Sequence, residues 1–149
     1  MVTWQLTIDA NDPARLARFW APFLRYEMQP PPHGHGSWKE WYRSVGVPQD
    51  ELDQMADDDC DRIHDPAGEG PPIWFQIVPE AKAGKNRLHL DLFPTGRDRS
   101  LPIEERRRLV DALVERAVAA GASIDHANEG EDYYGVVMHD PEGNEFCIA

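Results

Sequence analysis

The sequence predicts an α+β fold of two tandem β-α-β-β-β modules, and three observations carry that reading. Ile63-His64-Asp65-Pro66-Ala67-Gly68 recurs as Met138-His139-Asp140-Pro141-Glu142-Gly143, 75 residues further on. Gln5-Leu6-Thr7-Ile8 is matched by His89-Leu90-Asp91-Leu92, 84 residues on, and each of these strands leads into a helix. Each Asp-Pro turn is followed by an aromatic strand, Trp74-Phe75-Gln76-Ile77 or Glu145-Phe146-Cys147-Ile148. A D-P-x-G turn alone is common, because proline presets φ and glycine takes φ > 0. The same order of strand, helix and turn in both halves marks an internal repeat. With 149 residues the expectation is one domain, module one at about 1–80 and module two at about 85–149.

Each element has its own signal. Residues 3–9 alternate, with Trp4, Leu6 and Ile8 on one face and Thr3, Gln5, Thr7 and Asp9 on the other. Asp12 then reads as an N-cap and Pro13 as the first helical residue. Leu16, Phe19, Trp20, Phe23 and Leu24 follow as one helix face, with Pro22 expected to kink or shorten the helix. Residues 73–78 form a strand. Residues 87–93 alternate again, placing Leu88, Leu90 and Leu92 opposite Arg87, His89 and Asp91. A helix runs from Pro102 to about Ala120, with Leu109, Val110, Leu113, Ala117 and Val118 as its apolar stripe. Glu104 and Glu105 suit its first turn and Gly121 its end. Strands follow at about 123–127, 133–139 and 144–149.

Between about 30 and 62 an irregular, partly helical insertion breaks the first module. Trp38, Trp41, Tyr42 and Val45 can form one short helix, and Asp50 to Met55 another. A long insertion in a compact domain is usually functional or disordered, and the aromatics argue against disorder. It reads as a lid or rim. Its acidic run, Asp50, Glu51, Asp53, Asp57, Asp58, Asp59 and Asp61, reads as a solvated segment. No EF-hand spacing is present there.

Composition excludes several classes. The net charge of −12 argues against nucleic acid or an anionic membrane as partner, since both need a basic footprint. No run of about 18 apolar residues suggests a membrane span. Residues 1–10 show no secretory pattern. Two cysteines, Cys60 and Cys147, form no framework, which suits free thiols in the cytoplasm.

KNRLHLDL at 85–92, DPEGNEFCIA at 140–149, DPARLARFW at 12–20 and WFQIVPE at 74–80 together resemble the glyoxalase-like branch of the vicinal oxygen chelate (glyoxalase/bleomycin resistance/dioxygenase) superfamily. The resemblance covers nearly all of the chain outside the insertion. It implies curled mixed sheets enclosing a cleft, a small-molecule ligand or substrate as partner, and a fold compatible with a homodimer. It also implies that ligands of a divalent metal would sit at Gln5, Gln76, His89 and Cys147.

Those atoms suit a metal poorly. Glyoxalase I resembles a set of imidazoles and carboxylates, and a ring-cleaving dioxygenase a 2-His-1-carboxylate triad. Here there are two neutral amides, one imidazole and one thiol. The expectation is therefore small-molecule binding with no cofactor, like the bleomycin-resistance members; the acidic rim would suit a cation. The alternative is a metal-assisted lyase, isomerase or oxygenase built on His89. A displaced set of His89, Asp91 and Glu145 is the substitute metal site. Cys147 with His89 as nucleophile and base is a further arrangement. The predicted cleft residues are Gln5, Thr7, Trp74, Gln76, His89, Asp91, Glu145 and Cys147, with Trp38 and Trp41 from the insertion. Trp74, sharing a strand face with Gln76, is the expected aromatic wall. His33 and His35 read as loop, and His64 and His139 as structural residues at the turns.

Overall fold

The computed structural model describes residues 2–56 and 59–149, so Asp57 and Asp58 of the acidic run lie outside the described residues. It divides into two compact units, Met1–Pro79 and Glu80–Ala149.

Unit one contains β1 (Leu6–Ala10), α1 (Pro13–Leu24), β2 (Glu27–Met28), α2 (Trp38–Ser44), α3 (Gln49–Leu52), β3 (Arg62–His64) and β4 (Ile73–Ile77). Its sheet has the order β1-β4-β3-β2. The β1–β4 pair is parallel and the other pairs are antiparallel. Unit two contains β5 (Asp91–Leu92), α4 (Ile103–Ala119), β6 (Ser123–Gly130), β7 (Tyr133–His139) and β8 (Glu145–Ile148). Its order, β5-β8-β7-β6, repeats that of unit one, again with first and last strands parallel. Two open, four-stranded mixed sheets therefore realise the tandem β-α-β-β-β arrangement, with α2 and α3 inserted between β2 and β3 of the first.

The helices form where the sequence sets them. The Asp12 carboxylate accepts the Arg15 N–H at 3.0 Å and caps α1, and Pro13 opens it. Pro22 is accommodated in the last turn. The helix ends two residues later at Leu24, where Arg25 is held left-handed at φ 57° and the Tyr26 N–H returns to the Ala21 carbonyl. Its buried face, Leu16, Phe19 and Trp20, packs on β3 and β4, where Ile63 and Phe75 are fully buried. Helix α4 ends in a Schellman turn. The Ala122 N–H bonds the Ala117 carbonyl and the Gly121 N–H that of Val118, with Gly121 at φ +109°.

Both Asp-Pro turns are built alike. The Asp65 carboxylate accepts the N–H groups of Ala67, Glu69 and Gly70, and that of Asp140 accepts those of Glu142 and Asn144. Gly68 at φ +70° and Gly143 at φ +87° complete the turns, conformations in which a side chain is strained.

Three expectations are corrected. The strand expected at 87–93 shrinks to Asp91–Leu92, and Leu88 is 80% exposed rather than aligned with the core. Strand β5 lies at a sheet edge with β8 as its one neighbour, and β8 begins only at Glu145. The Glu145 N–H turns to the Asn86 side chain, so residues 87–90 have little ladder to join. On α4, Val114 is buried and Val118 is 45% exposed, because the inward stripe runs Val110, Val114 and Ala117. Asp61 is not part of a solvated run: its side chain is only 17% exposed.

Candidate functional site

Alternation along the strands gives each sheet two faces. In unit one α1 covers the face carrying Ile63 and Phe75. The opposite face presents Thr7 and Asp9 from β1, Trp74 and Gln76 from β4, and Arg62 and His64 from β3. Register places Thr7, Trp74 and Arg62 in one row across three strands, and Asp9 beside Gln76.

At the centre of this face Arg62 sits in an aromatic box. Its guanidinium lies 4.7 Å from the Trp38 ring centroid, 5.2 Å from Trp74 and 5.9 Å from Trp41. Asp61 holds the box from below. Its Oδ2 accepts the Tyr42 hydroxyl at 2.7 Å and the Trp74 indole N–H at 2.8 Å, and its Oδ1 accepts from Arg62 Nε at 3.2 Å. Arg62 also donates to the Tyr42 oxygen at 3.1 Å. Helix α2 is thereby fastened onto β3 and β4. Trp38 is only 4% exposed, and its indole donates to the Gln29 carbonyl at 2.8 Å. Burial and the Asp61 carboxylate push the Tyr42 hydroxyl up to about 12, against the opposing pull of Arg62.

The structure brings Trp38, Trp41 and Trp74 together, although about 30 residues separate them in sequence. It adds Arg62, Asp61 and Tyr42, which the sequence reading did not select. The available signal was an Arg on the polar face of a strand, next to the aspartate where the acidic run meets that strand.

In unit two α4 covers the face of Val136, Met138, Phe146 and Ile148. Asp91, Glu145 and Cys147 lie on the other face, with Asp91 paired to Cys147 across β5 and β8. His89 Nδ1 lies 3.0 Å from Asp91 Oδ1, and these side chains are 39% and 44% exposed. One ligand atom each from His89, Asp91 and Cys147 lies within 4.8 Å of the others. Glu145 does not join them: Lys85 Nζ meets both its oxygens at 2.5 Å and holds its carboxyl below the usual range. The displaced set of His89, Asp91 and Glu145 is thus replaced by one in which Cys147 stands for Glu145.

Burial pushes the Cys147 thiol up, and the Asp91 and Glu145 carboxylates push it further, Asp91 also by accepting its hydrogen bond. A thiol that donates to a carboxylate is a weak nucleophile and a reluctant ligand, since both roles need the thiolate. Iodoacetamide at pH 8 is therefore expected to alkylate Cys147 several-fold more slowly than free cysteine. Asp91→Asn should speed the reaction, as read by peptide mass spectrometry. Equal rates in both proteins would remove Asp91 from this account.

The four positions of the expected metal quartet are not arranged alike in the two units. The β1–β4 ladder starts at Leu6–Ile73, so Gln5 lies outside it, while Gln76 pairs with Asp9. Gln5 and Gln76 are four positions apart along the strands, about 13 Å. The Gln5 amide donates instead to Thr7 Oγ1 at 3.4 Å. In unit two Cys147 pairs with Asp91, only two residues beyond His89. The two ladders differ by a two-residue slip. Such a slip keeps every side chain on its face, so alternation in the sequence cannot reveal it. The donor set does not fit a divalent ion held by all four positions: two are neutral amides far apart, and one is a protonated thiol.

Among the other candidates, the His64 Nδ1 is buried without a hydrogen-bond partner among the described residues. His139 lies opposite both Ser123 and Glu145 in the sheet. None of the described helices is long and apolar enough to cross a membrane.

Two β-α-β-β-β modules, each closing its first strand parallel to its last, define the vicinal oxygen chelate class. The chain belongs to the family of glyoxalase-like domains, which it matches over residues 5–149. Solved structures share the fold at low identity. A glyoxalase/bleomycin resistance protein/dioxygenase family enzyme from Burkholderia phytofirmans PsJN is 19% identical, with TM-score 0.54 over 97% of this chain and 94% of that one. The fosfomycin resistance protein FosX from Mesorhizobium loti is 11% identical, with TM-score 0.52 over 99% and 92%. A hypothetical protein from S. aureus is 16% identical, with TM-score 0.54 over 99% and 96%. No curated protein sequence matches the chain.

Proposed function

We propose that this glyoxalase-like chain binds a small molecule on the sheet faces turned away from α1 and α4, and does so without a complete metal site. The observation that supports this most directly is the donor set at the four family positions. Gln5 and Gln76 are amides set apart by the β1–β4 register, and the Cys147 thiol is held protonated beside Asp91. Beside them, Trp74 and Trp41, backed by the buried Trp38, give the unit-one face the aromatic character of small-ligand sites. Asp9, exposed beside Gln76, favours a neutral or cationic ligand over an anion, since Asp61 is already paired with Arg62.

A second reading rests on the proximity of His89, Asp91 and Cys147. These three could hold a zinc-like ion within unit two, which would supply Lewis-acid chemistry for a metal-assisted lyase, isomerase or oxygenase. Binding would require Cys147 to lose its proton to the solvent.

Metal analysis of the purified protein, with melting curves before and after a chelator, separates the two. The expected result is a substoichiometric metal content, an unchanged melt, and a rise in melting temperature with aromatic or cationic small molecules that perturb the Trp74 indole. A stoichiometric ion, lost along with stability in His89→Ala, would overturn the metal-free reading and establish the second.

A further inference from the structure

Unit two contains a cavity of about 310 Å³ that shares no residue with the His89, Asp91 and Cys147 cluster. Its walls come from the segment after β5, the first turn of α4 and the start of β7. Phe93, Arg97, Arg99, Arg106, Tyr133 and Tyr134 carry its chemistry. The volume is at the lower end of those that enclose small organic ligands.

Charge sets this cavity apart from the rest of the molecule. The chain as a whole carries −12, yet three arginines converge here. Arg106 is committed to the protein: its guanidinium bonds the Leu101 carbonyl and the carbonyl and carboxylate of Asp132, and it serves as a fixed wall. Asp98, the other acid in the lining, accepts the N–H and hydroxyl of Ser100 on Oδ1 and keeps its negative charge, so the lining sets three arginines against two aspartates. Arg97 and Arg99 have no ion-pair partner among the described residues, so two cationic side chains remain available to an incoming anion.

Arg97 is also held in place. Its guanidinium lies 4.0 Å from the Phe93 ring centroid, and stacking of this kind leaves the in-plane N–H fork free for a carboxylate or phosphate. Its backbone is left-handed at φ 65°, after Gly96 at φ 61°, and its N–H is fixed to Thr95 Oγ1 at 3.2 Å. A non-glycine residue is strained there, a pattern that concentrates at functional sites. Tyr134 is used internally, with its hydroxyl on Asp111 and its ring under Arg107. Tyr133 is 52% exposed, so about half of its surface is open to solvent.

We infer that this cavity is a second binding site, for a small aromatic acid. Arg97 and Arg99 would take the anionic group, and Tyr133 with the Arg97–Phe93 stack would take the ring. It shares no residue with the unit-one face, and an anion is the charge that face does not favour.

All five tryptophans, Trp4, Trp20, Trp38, Trp41 and Trp74, belong to unit one, so their indole signals report on that unit. Benzoate and phenyl phosphate, titrated into ¹⁵N-labelled protein, are expected to shift the amides of Gly96 to Arg99 and Tyr133 to Gly135. The five indole signals should stay in place. Arg97→Gly removes the guanidinium and suits the left-handed backbone, so it should melt no lower than the parent protein. Combined with Arg99→Ala it should weaken benzoate binding at least tenfold. The inference is overturned if benzoate shifts nothing up to its solubility limit, or if the double variant binds as the parent does. It is also overturned if benzyl alcohol or benzylamine moves the same amides equally, or if inorganic phosphate binds as tightly as phenyl phosphate. A ligand that moves only the indoles would overturn this site while leaving the unit-one reading intact.

Discussion

Phe146→Ala is expected to lower the stability of the protein by about 3–5 kcal/mol, and Phe75→Ala by a similar amount. The two rings are 1% and 0% exposed and occupy matching places in the two modules, in the last strand beneath the module's helix. Truncation removes apolar contact area and leaves a void that α4 or α1 can close only partly. For a chain of this length the loss corresponds to a fall of roughly 10 °C in melting temperature. Leucine should recover most of it. Urea titration of the four single variants reads the effect. A cost below about 1 kcal/mol for either alanine would mean that the helix does not pack on its last strand as described.

Arg62→Ala is expected to cost about 2–4 kcal/mol. It removes three cation–π contacts and leaves the largely buried Asp61 carboxylate without its cation. Tyr42 provides a local readout. Arg62 pulls its hydroxyl down and Asp61 pushes it up, so Arg62→Ala should raise the phenol titration further, and Asp61→Asn should bring it back toward the ordinary tyrosine value. Linkage follows with a definite sign. With a folded value of about 12 against about 10 unfolded, the contribution of Tyr42 is fully present below pH 10 and is lost as pH rises to 12. That difference corresponds to about 2.7 kcal/mol, which solvent screening of the partly exposed phenol reduces to about 2 kcal/mol or less, and the alkaline decline in stability over that window should flatten in Asp61→Asn. Phenolate absorbance and melting curves from pH 9 to 12 measure both. An unchanged phenol titration in both variants would remove the Asp61–Arg62–Tyr42 network from the account.

Most of the fold was legible because its signals are local. Asp12-Pro13 and Gly121 mark helix ends by backbone chemistry, and the two Asp-Pro-x-Gly turns carry their own hydrogen-bond acceptors. Strand β5 was read too long because alternation at 87–93 reports a preference, whereas a ladder needs a partner, and β8 begins too late to supply one. The site was legible as residue types on the correct faces, but not as geometry. The resemblance carries Gln5 and Gln76 onto the same strand faces as His89 and Cys147, but a shared face does not fix how far apart two residues lie along it. The β1–β4 register is set by where the turns release the strands, and a two-residue slip leaves the pattern unchanged. Arg62 was missed for a related reason: a cation among three tryptophans is recognisable only once Trp38, Trp41 and Trp74 have been folded together.

The parallel pairing of first and last strands also sets the order in which each module can assemble. Leu6 must wait for Ile73, and Asp91 for Cys147, before either sheet is complete. Such non-local closure belongs to the slower class of folding reactions. The insertion lengthens the wait in module one but adds little to its equilibrium cost. Roughly doubling a loop raises the entropy of closure by only about 0.6 kcal/mol, less than the Arg62 cluster returns by fastening α2 to the sheet. A module of this design can therefore acquire a long segment between its second and third strands at almost no thermodynamic penalty, provided that the segment brings one anchor of its own.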